Sequence, residues 1–268
     1  MDVDYPTSDE AATPEYVMAV LSDIHRQQCQ FDPEAERDAS LGFDSTVEEW
    51  REACDLVDWR RLGRAHNQFW GIHCLDDQWR AALEPAREKR LRGVCELIAG
   101  SARRSRIRPA RLLGRACCAA GAFLTVRSML KRAGANAEKI TPSTPLASYT
   151  REQLDLFLGP ISRLAPGALP PVRVHTPVYD SAMWGMLAGL GSFALAGLVC
   201  CAGGRMSGLI LALLGFLLWL VCYPLTWISA RMLPKNVEFG DLRTFRDLAI
   251  VLAEAVGVEG PGPTAPAG

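Results

Sequence analysis

Residues 181–204 read SAMWGMLAGLGSFALAGLVCCAGG, and residues 206–230 read MSGLILALLGFLLWLVCYPLTWISA. Neither run contains Asp, Glu, Lys, Arg or His, and Arg205 alone separates them. At about 1.5 Å per helical residue, each is long enough to cross a hydrocarbon core of about 30 Å. Two such helices joined by so short a hinge make a transmembrane hairpin. Small residues occupy helix-packing positions: Gly185 and Gly189, with Ser181 one turn before them; Ala188, Ser192 and Ala196 beside them; and Gly208, Ala212 and Gly215 on the second run. Such faces let backbones approach closely, within the hairpin or between two copies in a homodimer. The runs carry no ionisable group, so they read as an anchor and not as an ion pathway. Gly189-x-Gly191-x-x-Ala194 matches a dinucleotide fingerprint in letters alone, because no strand precedes it.

The flanks give the hairpin an orientation. Arg163 and Arg173 precede it, and Arg231, Lys235, Arg243 and Arg246 follow it. This basic excess outside the hinge predicts that the N- and C-termini are both cytoplasmic. Trp184, Tyr223 and Trp227 fall at one level of a hairpin, where interfacial aromatics belong. The first residues, MDVDYPTSDEAATPEY, are acidic and lack an apolar core, so no signal peptide is expected.

Outward from the hairpin, the pattern predicts an all-α protein: a cytoplasmic helical domain plus the two-helix transmembrane hairpin. Residues 1–12 read as disordered, 13–158 as the helical domain, and 159–180 as a proline-rich stalk. Spans follow at 181–204 and 206–230, then an amphipathic C-terminal helix within 231–258 and a disordered tail at 259–268. Thr13 caps a helix opened by Pro14, with Val17, Val20, Leu21 and Ile24 on one face. Ser45–Glu48 fits a capping box, and Asp76 and Asp241 are further helix starts. Trp59–Phe69 reads as a helix stopped by Gly71, and Arg87–Ala99 as another. Leu112–Leu130 is an apolar helix too interrupted by Arg115 and Arg127 to span. Thr150–Gln153 is a second capping box. Pro160, Pro166, Pro170, Pro171 and Pro177 favour an extended polyproline stalk.

Trp50, Trp59, Trp70 and Trp79, at near-decade spacing, read as the core of a small helical domain. The residues Trp70-Gly71-Ile72-His73-Cys74-Leu75-Asp76-Asp77 and Leu91–Ile98 resemble the turn after the second helix and the last helix of an acyl carrier protein. The likeness covers about 45 of the 268 residues. It implies a four-helix carrier-like bundle. The position of that family's phosphopantetheine serine falls near Leu56, in Asp55-Leu56-Val57-Asp58, where there is no hydroxyl, and Ser45 lies about ten residues too early. The resemblance therefore implies no prosthetic-group site.

Chemistry-bearing patterns are few. There is no Walker A sequence, no G-x-S-x-G and no C-x-x-C among the nine cysteines. His66, His73 and Cys74 match no zinc spacing. No catalytic, cofactor-binding or metal-binding residue is assigned, no cofactor is expected, and the chain reads as a non-enzyme. Arg103, Arg104, Arg106, Arg108, Arg111 and Arg115 crowd one segment. They read either as a membrane-surface contact or as a solvated helix face paired with acids such as Glu84, Glu88 and Glu96. The net charge of −1 and the lack of interleaved aromatics argue against nucleic acid. The expected partners are the lipid bilayer, an unidentified protein and, through the small-residue faces, a second copy. The leading expectation is a membrane-tethered interaction or scaffold protein. A homo-oligomeric small pore or transport accessory is the second, and a membrane-associated enzyme with an unrecognised site the third.

Overall fold

The computed structural model describes residues 8–32, 34–54, 56, 58–112, 115–175, 177–202, 205–232 and 236–258. The expectations of disorder for residues 1–7 and 259–268 lie outside these. The chain divides into two compact units, Met1–Arg173 with Glu238–Gly268, and Val174–Val237.

The first unit is mostly helical. Strand β1 (Ser8–Ala11) leads into α1 (Pro14–Gln28), then α2 (Val47–Ala53), α3 (Trp59–Trp70), α4 (Asp76–Leu83) and α5 (Leu91–Ala99). The helix starts follow from their side chains. Thr13 accepts the Tyr16 amide hydrogen with Pro14 in the first turn. Thr46 and Glu49 form a reciprocal capping box, one residue later than the sequence suggests. Gly71 ends α3 at φ 65°, a left-handed cap that other residues enter at a cost. Val17, Leu21, Trp50, Trp79, Leu83 and Ile98 meet in one apolar core.

The next stretch adds short strands to a chain that is otherwise mostly helical, as expected. Strands β2 (Arg103–Arg106), β3 (Ala110–Leu112) and β4 (Arg115–Cys117) precede α6 (Cys118–Arg132). β2 pairs antiparallel with β1, Ser8 opposite Arg106 and Ala11 opposite Arg103. β3 and β4 form a hairpin of their own. Ser8–Ala11 is thus ordered by a partner almost a hundred residues away. The helix expected over Leu112–Leu130 begins at Cys118. A Cβ on Gly121 would run into the Arg108 carbonyl oxygen, so α6 lies hard against the chain that leads into β3.

Two further helices, α7 (Ala147–Glu152) and α8 (Leu154–Leu156), follow. Thr150 lies inside α7 and donates to the Ala147 carbonyl, so it does not cap a helix there.

The proline-rich stalk expected at 159–180 is also corrected over its first half. Residues 157–164 make a wide turn and a tight one, and Phe157, Ile161, Leu164 and Leu169 are buried. Polar side chains of α1 hold this segment. Ser162 donates to the buried Asp23 carboxylate, which also pairs with Arg26 at 2.6 Å. The Gln27 side chain donates to the Pro170 carbonyl (3.2 Å) and accepts the Val172 amide hydrogen (2.8 Å). Apolar residues between the prolines, not the prolines, decide the outcome: their burial outweighs a free polyproline conformation.

Strand β5 (Val172–His175) pairs with β6 (Asn236–Phe239), and between them lie α9 (Pro177–Cys201) and α10 (Arg205–Met232). The last helix, α11 (Phe245–Val258), starts later than the 231–258 expectation because β6 and a turn intervene. Its cap is Thr244 with Asp247, which accepts the Thr244 and Arg243 amide hydrogens, rather than Asp241. α11 packs along α6, and Phe245, Leu248 and Leu252 are buried.

Candidate functional site

Three features of the chain have chemistry to offer: the apolar hairpin, the arginine-bearing strands, and a buried imidazole in the helical core. The hairpin is the largest. Ser181–Cys201 and Met206–Thr226 are long and apolar enough to cross a membrane, and only 11% and 17% of the two spans is buried. A core helix of a soluble protein would be mostly buried, and soluble monomers seldom leave contiguous apolar surface of more than a few hundred Å². Leu187, Leu198, Leu209, Leu213 and Val221 all point outward.

The seam between the helices is built from the small residues named above. A Cβ on Gly185 would lie 2.5 Å from the Cys222 sulfur, and one on Gly189 2.9 Å from the Gly215 carbonyl oxygen. A Cβ on Gly215 would meet Ser192 at 2.8 Å, and one on Gly208 would collide with the Cys200 sulfur. The order of these contacts makes the pair antiparallel. Gly185, Gly189 and Gly208 therefore serve the intramolecular seam, and Ala212 is half-buried beside it. By contrast, Gly191 and Gly197 have open space where a side chain would be. Ser192 and Thr226 hydroxyls donate to carbonyls of their own helices, Ala188 and Tyr223. Trp184 and Tyr223 are exposed. The contact of Gly185 with Cys222 puts them at the same level, as the interfacial-aromatic reading requires. The Trp227 side chain lies outside the described residues.

The seam yields a direct prediction. Gly189→Leu forces backbone atoms apart, whereas Gly191→Leu adds a side chain to open space. Overpacking of this kind costs about 1–3 kcal/mol or more. In mild detergent the thermal loss of α9–α10 helicity should move to lower temperature for Gly189→Leu and stay in place for Gly191→Leu. Equal behaviour of the two variants would refute the seam.

The six arginines lie on strands and the turn between them, not on one helix face. Arg104 is half-buried, its guanidinium 4.7 Å from the Tyr16 ring centre. Arg106 pairs with Glu10 at 3.0 Å. Arg103, Arg106, Arg108, Arg111 and Arg115 are exposed. Across the β1–β2 pair, Glu10 meets Arg106, and Asp9 accepts a hydrogen bond from the Ser105 hydroxyl at 2.8 Å. A seventh arginine belongs to the same neighbourhood. β2 packs against the Ser162–Leu164 turn, and the Arg163 guanidinium lies over Phe69 and Trp70 at 4.9 and 5.4 Å. Burial lowers its pKa from the usual arginine value. Tyr16 donates to the Arg163 carbonyl at 2.6 Å, closing an aromatic and guanidinium stack around the β1–α1 corner.

In the core, His66 lies between Trp50 and Trp79, with ring centres 5.6 and 5.7 Å away. Its Nδ1 is buried without a hydrogen-bond partner, and burial pushes its pKa down to about 4. Trp50, Trp70 and Trp79 are buried, and Trp59 is half-buried under Arg60. His73 is exposed, so His66, His73 and Cys74 do not converge. Among the described residues no group of three or more His, Cys, Asp or Glu is placed to hold a metal ion.

One thiol and imidazole pair escapes notice in the sequence. The Cys29 sulfur is 3.4 Å from His25 Nε2, at the mouth of a groove also lined by Arg26, Arg37 and Ser40. That nitrogen is also 3.0 Å from the Glu36 carbonyl oxygen. A carbonyl can only accept, so Nε2 carries the proton and does not serve as a base for the thiol. Burial raises the Cys29 pKa, and it pushes those of Cys54 and Cys95 up to about 12. These are poorly nucleophilic, structural thiols at neutral pH.

No protein-family model matches the chain, and neither the curated proteins nor the solved structures contain a match.

Proposed function

We propose that the chain is an integral membrane protein in which the α9–α10 hairpin anchors a helical interaction or scaffold domain, with both termini in the cytoplasm. The observation that carries this reading is the hairpin itself: an outward surface of large aliphatic side chains around an inward seam of small ones. Fully burying one such side chain away from water is worth about 1.5–3 kcal/mol. The surface satisfies this in hydrocarbon, while the glycine seam supplies the close packing that holds helices together there. A second copy pairing through the hairpin would use the outward Gly191 and Gly197 side, because Gly185, Gly189 and Gly208 are occupied.

Thiol labelling tests the arrangement. Cys118 is exposed in the helical unit, and Cys200 and Cys201 are exposed at the end of α9. In single-thiol variants of the full chain, an impermeant maleimide added to intact cells should label Cys200 or Cys201 and not Cys118. Inverted vesicles should give the converse. Labelling of both positions from one side rules out the hairpin topology. A specific crosslinked protein partner in native membranes is the expected companion result, and its absence counts against the scaffold role.

A further inference from the structure

We propose that β2, β3 and β4 form an electrostatic dock for the anionic lipid headgroups of the bilayer in which the hairpin is anchored. The inference rests on the membrane reading above. Between Glu96 and Glu138 the sequence has no acidic residue and nine basic ones: the six arginines of the strands, then Arg127, Lys131 and Arg132. Glu10 reaches Arg106, Arg104 is turned onto Tyr16, and Arg103, Arg111 and Arg115 are exposed.

The Ser162–Leu164 turn leads along the chain towards the anchor. β2 packs against the Ser162–Leu164 turn, and nine residues separate Leu164 from Val174, where the hairpin unit begins. The exposed Arg173 lies on this connection. A tethered module meets its bilayer at a high effective concentration, so each weak ionic contact counts without a separate association cost. Each basic residue near an anionic surface shifts the docked population by about fivefold. Sequence-tolerant nucleic-acid binding would need bases to stack on exposed aromatic rings. Here Tyr16 and Trp70 are buried, and the faces of Tyr16, Phe69 and Trp70 are taken by Arg104 and Arg163. Charge without free rings points to headgroup phosphates.

The full chain in lipid nanodiscs tests this by hydrogen exchange across residues 103–117. Exchange there should slow at least about tenfold when about 30% of the neutral lipid is replaced by anionic lipid, and the protection should fade as salt is raised to about 0.3 M. The triple variant Arg103→Gln, Arg111→Gln, Arg115→Gln should lose the protection while α3–α5 exchange as before, which separates docking from folding. A chain that enters nanodiscs but exchanges equally in neutral and anionic lipid overturns the dock and leaves the anchor standing. A chain that does not enter nanodiscs overturns both. Tight capture of a fluorescent single-stranded oligonucleotide by the chain in neutral nanodiscs, with no response to anionic lipid, overturns the dock in favour of nucleic acid.

Discussion

Trp79→Ala is expected to destabilise the helical unit by about 3–5 kcal/mol, the range for removing a fully buried Trp. Trp79 is 1% exposed and stacks on His66. Its indole donates to the Asn67 side chain at 3.0 Å, and the same Asn67 oxygen accepts the Cys74 amide hydrogen at 3.1 Å. One side chain thus ties α4 to α3 and to the turn between them. The seat for the indole is Gly63, where a Cβ would lie 2.7 Å from the Trp79 ring. This contact makes the test sharper than a single substitution. In the native chain Gly63→Ala should destabilise by overpacking, by about 1–3 kcal/mol. In the Trp79→Ala background the clash is gone, and the higher helix propensity of alanine should make Gly63→Ala stabilising, by up to about 1 kcal/mol. Pulse proteolysis in urea, on the full chain in nanodiscs, reads both changes. The same sign for Gly63→Ala in both backgrounds would show that the α3–α4 packing is wrong.

Such packing was partly legible in the sequence, and the limits of legibility are physical. Thr13-Pro14 and Gly71 announce helix ends because a cap is a local bond between neighbours in the chain, and the Ser45–Glu48 reading misses its true cap by one residue. The two long apolar helices are legible because each keeps its composition over about 20 residues, the length a hydrocarbon core would require. The tryptophans point to a core because few other surroundings hold so much apolar area. The β2 strand is not legible: Arg103-Arg104-Ser105-Arg106 has no apolar alternation, and it is a strand because Ser8–Ala11 pairs with it from far away. The expected stalk shows the same limit. Pro160, Pro166 and Pro170 read as an extended spacer, yet Asp23, Arg26 and Gln27 of α1 hold that segment down. Three polar residues on one helix face look like a solvated surface until the chain that exchanges hydrogen bonds with them is in place. For the candidate site, the hairpin seam was legible in its glycines. The acid-free stretch around the arginines was open to simple counting, whereas the stacking of Arg104 and Arg163 on aromatic rings needed the tertiary structure.

His66 supplies the second large effect, because it sits in the same core as a group that cannot charge without cost. Trp79 stacks on its ring and Trp50 packs tilted beside it, Nδ1 has no partner, and burial holds its pKa at about 4 against an ordinary value of 6.5. Between those two values the unfolded chain binds a proton at His66 that the folded chain does not. Stability therefore rises with pH across this window, is fully present above pH 6.5, and is lost as the pH falls toward 4. The difference corresponds to about 3 kcal/mol. His66→Phe keeps a flat ring between the two indoles and removes both the titration and the orphaned nitrogen. It should be at least as stable as the native chain at pH 7 and should lose much less stability between pH 6.5 and 4. The carboxylates whose pKa values are lowered by their caps, Asp58, Glu49 and Asp247 among them, titrate in both proteins and cancel in the comparison. What remains is the His66 contribution, read as the change in urea midpoint between the two proteins at each pH. Parallel pH profiles for native chain and variant would mean that water reaches the imidazole and that the core around the tryptophans is open. Diverging profiles would establish a sealed core.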